Sequence, residues 1–212
     1  MDIRAYDESY IEGAQNILGH MFDFGINEVG LDAKECVEYF LASECSSQFE
    51  IGNPKYIAGM TGPELMKEVL REKHYTGKLP KDIMHGERSP EYWAGWVLAY
   101  YQWLRNKRFS YILRALDIDY LLGLYGTYHE MDMKKFVELA DKCLIEHYPD
   151  INLKRYRKCI GLSQRDLANE SGVPLRQIQM FEQRQRDINK TSAETILRLS
   201  KALHVKMEDL ME

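Results

Sequence analysis

The chain has 212 residues, 45% of them hydrophobic and 29% charged, with 28 Lys+Arg against 33 Asp+Glu and a formal net charge of −5. That length suits one large or two modest domains, and no run of about 18 apolar residues is present to span a bilayer. Met1-Asp2-Ile3-Arg4 lacks a secretory-signal profile, and Cys36, Cys45, Cys143 and Cys159 form neither a CxxC pair nor a disulfide scaffold, so a cytoplasmic protein is expected.

Read in chain order, the pattern is helical throughout. Tyr10, Ala14, Ile17, Leu18, Met21 and Phe22 recur at helical steps and predict an amphipathic helix over 7–29. A second follows Asp32, with Val37, Phe40, Leu41 and Cys45 on its buried face, until Gly52-Asn53-Pro54 breaks it. Thr61-Gly62-Pro63-Glu64 has capping-box spacing and opens a helix to about Glu72. Residues 74–88, with Gly77, Pro80 and Gly86, read as a surface loop. Ser89-Pro90 is an N-cap followed by a first-turn proline, which predicts a long helix over 89–105. Shorter helical stretches cover 109–124, and Asp132 caps a helix reaching Tyr148. Pro149-Asp150 ends it and marks a boundary between domains over 1–150 and 151–212. No strand alternation is convincing, so the expected fold class is all-α.

The C-terminal segment differs in charge from what precedes it. From Asn152 onward there are 12 Lys+Arg against 8 Asp+Glu, which leaves 16 against 25 before it. The pattern is a basic segment on an acidic body, as expected of a nucleic-acid reader. Within it, helices are predicted over 152–159, 163–170, 174–183, 192–203 and 207–211. Ser163 is a good N-cap with Asp166 at the capping-box position, and Pro174 suits the first turn of the third helix. Ala168 lets two helices approach, and Gly172 takes the turn, where positive φ is cheap only for glycine. Leu167, Ile178 and Phe181 form the apolar plug between them.

On these residues the segment resembles the lambda-repressor-like, Cro/C1-type helix-turn-helix family, also called the XRE family. The resemblance covers roughly the last 60 residues and implies that the third helix lies in the major groove of double-stranded DNA. It implies phosphate contacts for Ser163 and Gln164 at the start of the second helix. It puts Leu175, Arg176 and Met180 where base edges are read, and Gln183, Arg184 and Arg186 where the following loop tracks the backbone. Leu175 and Met180 cannot hydrogen-bond a base, so direct readout is expected to rest on Arg176 with Gln177 or Gln179. The loop 184–191 is longer than usual for the family. Arg157 has two readings, a phosphate clamp or an ion pair with Glu182, and the resemblance favours the second. Lys154, Arg155 and Lys158 are either phosphate contacts or a solvated face.

The first 150 residues carry no such signature. Trp93, Trp96, Tyr100 and Trp103 share one helical face, which reads first as an aromatic core and second as an effector pocket or partner patch. The six histidines show no metal-ligand spacing, and His129-Glu130 near Asp132 reads as a capped helix start rather than acid–base chemistry. GxGxxG, GxxxxGK and GxSxG are missing, so no catalytic residue, metal or cofactor is expected. The leading expectation is a sequence-specific DNA-binding transcription regulator, a prokaryotic repressor acting as a homodimer, with the body holding the dimer or sensing a small-molecule effector. The alternative is an antitoxin whose body binds a protein toxin while the C-terminal domain autoregulates the operon. An enzyme carrying a DNA-binding appendage is a third, weaker reading.

Overall fold

The computed structural model describes residues 4–81 and 88–212, so the centre of the loop expected over 74–88, with His85 and Gly86, lies outside the described residues. The described residues are helices and turns without a strand. They form two compact units, Met1–His147 and Tyr148–Glu212. No helix of the described residues is long and apolar enough to cross a membrane.

The N-terminal unit begins with a 3-10 turn, Glu8–Tyr10, capped by Asp7, and passes into α1, Ile11–Asp23. The expected helix over 7–29 is therefore shorter, because the wider turn Phe24–Glu28 follows it and closes with the Val29 N–H on the Phe24 carbonyl. The second expected helix is two: α2, Ala33–Leu41, and α3, Glu44–Glu50. The break comes at Ser43, in extended backbone, whose hydroxyl donates to the Phe40 carbonyl and competes with the helix. Asn53 caps the short α4, Pro54–Ile57, and the Thr61–Glu64 capping box opens α5, Gly62–Glu72. Ser89 caps α6, Pro90–Arg105, and its hydroxyl donates to Asp23 at 2.6 Å. The stretch over 109–124 resolves into α7, Phe109–Ala115, and α8, Ile118–Tyr128. Asp132 accepts the Lys134 N–H at 2.8 Å at the start of α9, Met133–His147.

α6 is the axis of this unit. It buries residues on nearly every side, including Trp93, Gly95, Val97, Tyr101 and Trp103, so it shows no clean apolar stripe. α1 packs against it closely because two glycines meet there. A Cβ on Gly95 would stand 2.4 Å from the Leu18 carbonyl oxygen, and one on Gly19 would stand 2.8 Å from Tyr92. Phe22, Phe40, Phe49 and Phe109 fill the space beneath, with the Phe40 and Phe109 rings edge to face at 5.2 Å. Tyr101 and Arg105 on α6 both donate to Asp141 on α9, at 2.8 and 2.9 Å.

The C-terminal unit runs α10, Asn152–Cys159, α11, Gln164–Ser171, α12, Leu175–Glu182, and α13, Ala193–Leu203. A 3-10 turn, Ile188–Lys190, interrupts the loop before α13. The last expected helix is a 3-10 turn, Met207–Leu210, too short to close consecutive α-helical bonds. Leu153, Leu167, Ile178, Phe181, Ile196, Leu199, Leu203 and Leu210 are among the residues of its single core.

Candidate nucleic-acid interface

The interface builds outward from the helix caps. Ser163 accepts the Asp166 N–H on its hydroxyl at 3.1 Å while Asp166 accepts the Ser163 N–H at 2.9 Å. The Ser163 hydroxyl and the Ser163 N–H, both directed at the carboxyl, hold Asp166 below the usual carboxylate range. These bonds satisfy the third amide of α11 and leave the N–H groups of Gln164 and Arg165 without intrahelical acceptors.

α11 ends where Gly172 turns to a φ of +67°, with its N–H on the Ala168 carbonyl at 2.9 Å. Ser171 secures the same turn, donating to the Leu167 carbonyl at 2.6 Å and accepting the Val173 N–H at 3.2 Å. Pro174 then presets the backbone ahead of α12. Ile178 and Phe181 face the core, which leaves the opposite side of α12 to Arg176, exposed, with Leu175, Gln179 and Met180 half-buried. Gln177 is half-buried and donates to the Thr191 hydroxyl at 3.3 Å, tying the helix to the loop.

After α12 the chain closes through Arg184, whose φ of +55° is left-handed, with its N–H on the Phe181 carbonyl at 2.9 Å. The N–H groups of Gln185 and Arg186 both reach the Met180 carbonyl. Gln183, Arg184 and Arg186 are exposed, and the Arg186 guanidinium lies 5.8 Å from the Phe181 ring centroid.

Beneath the outer face sits a buried polar group. Arg157 donates through Nε and Nη2 to both Glu182 oxygens, at 2.6 and 2.9 Å, and through Nη1 to the Leu162 carbonyl at 2.7 Å. The two side chains are 11% and 2% exposed, so of the two readings of Arg157 the ion pair is the one observed. Glu182 raises the Arg157 pKa further above its ordinary value. Gln164 adds a third bond to Glu182, at 2.7 Å, so its amide turns inward and keeps one hydrogen for any outer partner. Lys154 and Lys158 both fold onto Asp150, at 2.6 and 2.7 Å, and hold its carboxyl down at about 2.

Pairing distinguishes two sets among nine of the twelve basic residues from Asn152 onward. Arg157, Arg198, Lys154, Lys158 and Lys190 are in ion pairs, whereas Arg165, Arg176, Arg184 and Arg186 make none among the described residues. Arg165 is an addition to the residues expected from sequence. It stands exposed in the first turn of α11, beside Ser163, and a cation following an N-cap was the signal for it. Elsewhere, burial pushes the thiols of Cys36 and Cys45 up to about 12, away from nucleophilic use. No group of three or more potential metal ligands occurs among the described residues.

Residues 153–210 match the helix-turn-helix family, of the lambda-repressor-like, XRE type. No family matches the region before them. No curated protein and no solved structure matches the chain. The C-terminal unit is thus a helix-turn-helix domain, the mark of a DNA-binding transcription regulator.

Proposed function

We propose that α12 enters the major groove of double-stranded DNA and that the chain acts as a cytoplasmic, sequence-specific repressor in the form of a homodimer. The observation that carries this reading is the set of unpaired arginines: Arg176 on the outer side of α12, Arg184 and Arg186 just beyond it, and Arg165 in the first turn of α11. A guanidinium left exposed without a carboxylate is suited to phosphate and to guanine edges. Arg176, with Gln179, reads base edges, and Leu175 and Met180 offer apolar contact to a thymine methyl. Gln177 supports the loop through Thr191 and contributes to readout with its remaining amide hydrogen and its carbonyl oxygen. Ser163, Gln164 and the free amides of α11 hold one phosphate. Gln183, Arg184 and Arg186 track the backbone beyond it. A second copy reads a second half-site about 34–36 Å away.

The test is a gel shift of fragments of the protein's own promoter region, repeated across a salt series. Selective retardation that weakens steeply with salt is expected. No retardation of any genomic fragment by folded protein overturns the reading.

The antitoxin reading rests on the acidic N-terminal unit and on exposed apolar side chains there, such as Ile51 and Ile145. Purification from the native operon separates the two. A repressor comes out without a companion, and an antitoxin brings a stoichiometric protein with it.

A further inference from the structure

α6, α8 and α9 of the N-terminal unit line a partly open cavity of about 160 Å³. Its wall is formed by Tyr92, Trp93 and Trp96 of α6, Tyr125 of α8 and Phe136 of α9, and Arg88 stands among the lining residues. The rings are held from behind. Tyr92 donates to Asn16 at 2.7 Å, and Tyr125 donates to the Arg88 carbonyl at 2.9 Å. Trp93 meets Tyr125 and Phe136 edge to face, at 6.0 and 5.8 Å between centroids. His129 stacks on Tyr125 at 4.5 Å, with its Nδ1–H on the Tyr125 carbonyl. A wall fixed in this way is a preformed site.

Size and chemistry narrow the occupant. A dry cavity of roughly 150 Å³ accommodates benzene, so this one suits a single ring with a small substituent. Ring faces and the thioethers of Met131 and Met133 favour a flat aromatic over a branched aliphatic. Among the described residues, no carboxylate lines the cavity. Arg88 is exposed, its guanidinium lies 5.7 Å from the Tyr92 ring centroid, and no carboxylate pairs with it among the described residues. A guanidinium so placed attracts a carboxylate and repels an ammonium group.

We infer that this cavity binds a small planar aromatic carboxylate, held by the ring wall at one end and by Arg88 at the other. The ligand's purpose as a signal rests on the regulator reading, whereas its binding does not.

Benzoate is the probe, and tryptophan fluorescence of the full-length protein is the readout. Trp93 and Trp96 line the cavity, while Trp103 packs elsewhere, its indole N–H on the Tyr6 carbonyl at 2.8 Å. Saturable quenching by benzoate is expected, with Trp103→Phe retaining it and Trp96→Phe reducing its amplitude. Arg88→Gln is expected to weaken benzoate about tenfold, the loss of one charge-assisted contact, and to leave the neutral analogue benzyl alcohol unchanged. Absence of saturable quenching in folded protein overturns the inference. So does benzylamine binding as tightly as benzoate, or an Arg88→Gln variant that binds benzoate unchanged. A gel shift on the same preparation keeps the two readings apart, because lost benzoate binding with an intact shift overturns only this one.

Discussion

In the N-terminal unit, α1 and α6 meet closely at Gly19 and Gly95, with Tyr92 on Asn16 and Ser89 on Asp23 at the edges of that seam, and Tyr101 and Arg105 on Asp141 tie α6 to α9. In the C-terminal unit the core is small, and a buried guanidinium–carboxylate pair joins α10 to α12, with Gln164 joining α11. The difference follows from size. A domain of this small length buries a lesser share of its surface, so apolar packing alone orients its helices weakly, and directional bonds supply the alignment. The larger unit has area enough to align its helices by shape. Where each unit keeps its rigidity therefore predicts where each will fail.

The largest effect is expected from Glu182→Ala. It strands Arg157 in the C-terminal core, and loss of one partner of a buried pair costs about 3–5 kcal/mol. Thermal unfolding followed by two probes should show the C-terminal transition collapsing while the N-terminal one stays. A joint shift of both, or a change below about 1 kcal/mol, breaks the comparison. Next comes Gly95→Ala. Alanine gains about 1 kcal/mol of helix propensity, yet its Cβ meets the Leu18 backbone, and overpacking costs about 1–3 kcal/mol or more. The N-terminal melting temperature should fall with the DNA shift preserved.

Arg176→Ala sharpens the C-terminal side. It is expected to lose roughly ten- to a hundredfold in affinity at one base-pair position while leaving the melting temperature intact, as checked by binding to a library of single-base operator variants. Gln164→Ala should weaken all sequences alike and also lower stability, since it strips a bond from Glu182. The smallest effect is acid. Because Asp150 titrates near 2 when folded, its contribution is complete above the ordinary carboxylate pKa and fades as the pH falls towards 2. The pairs are partly exposed, so the contribution is below about 1 kcal/mol, and Asp150→Asn should flatten that part of the stability curve.

Local signals were legible at several helix ends that a single residue decides, though not at Ser43, Asn53 or Asp117. Ser163, Thr61, Ser89 and Asp132 cap the helices that their spacing indicates, and Gly172 takes the positive φ that its position demands. What stayed hidden depends on partners distant in the chain. Gly19 and Gly95 carry no sign that they face one another, since each alone looks like a weak helix residue. α6 is buried nearly all round, so its four spaced aromatics do not act as one face: Trp93 and Trp96 line a cavity and Trp103 reaches Tyr6. Gln164 and Gln177 look alike as surface amides, and only tertiary structure turns them onto Glu182 and Thr191. Arg165 follows the Ser163 cap as an ordinary first-turn cation, and only tertiary structure shows that it stays exposed with no ion pair among the described residues.

The Arg157–Glu182–Gln164 group has a bearing on how such a domain diversifies. Arg157 and Gln164 both bond Glu182 of α12, whose side chain is 2% exposed. Exchanging Leu175, Arg176, Gln179 and Met180 thus leaves the clamp in place. If α12 reads the operator as proposed, new operators become reachable by a few outer replacements, without refolding the scaffold, which makes this tail a ready acceptor for grafted specificity.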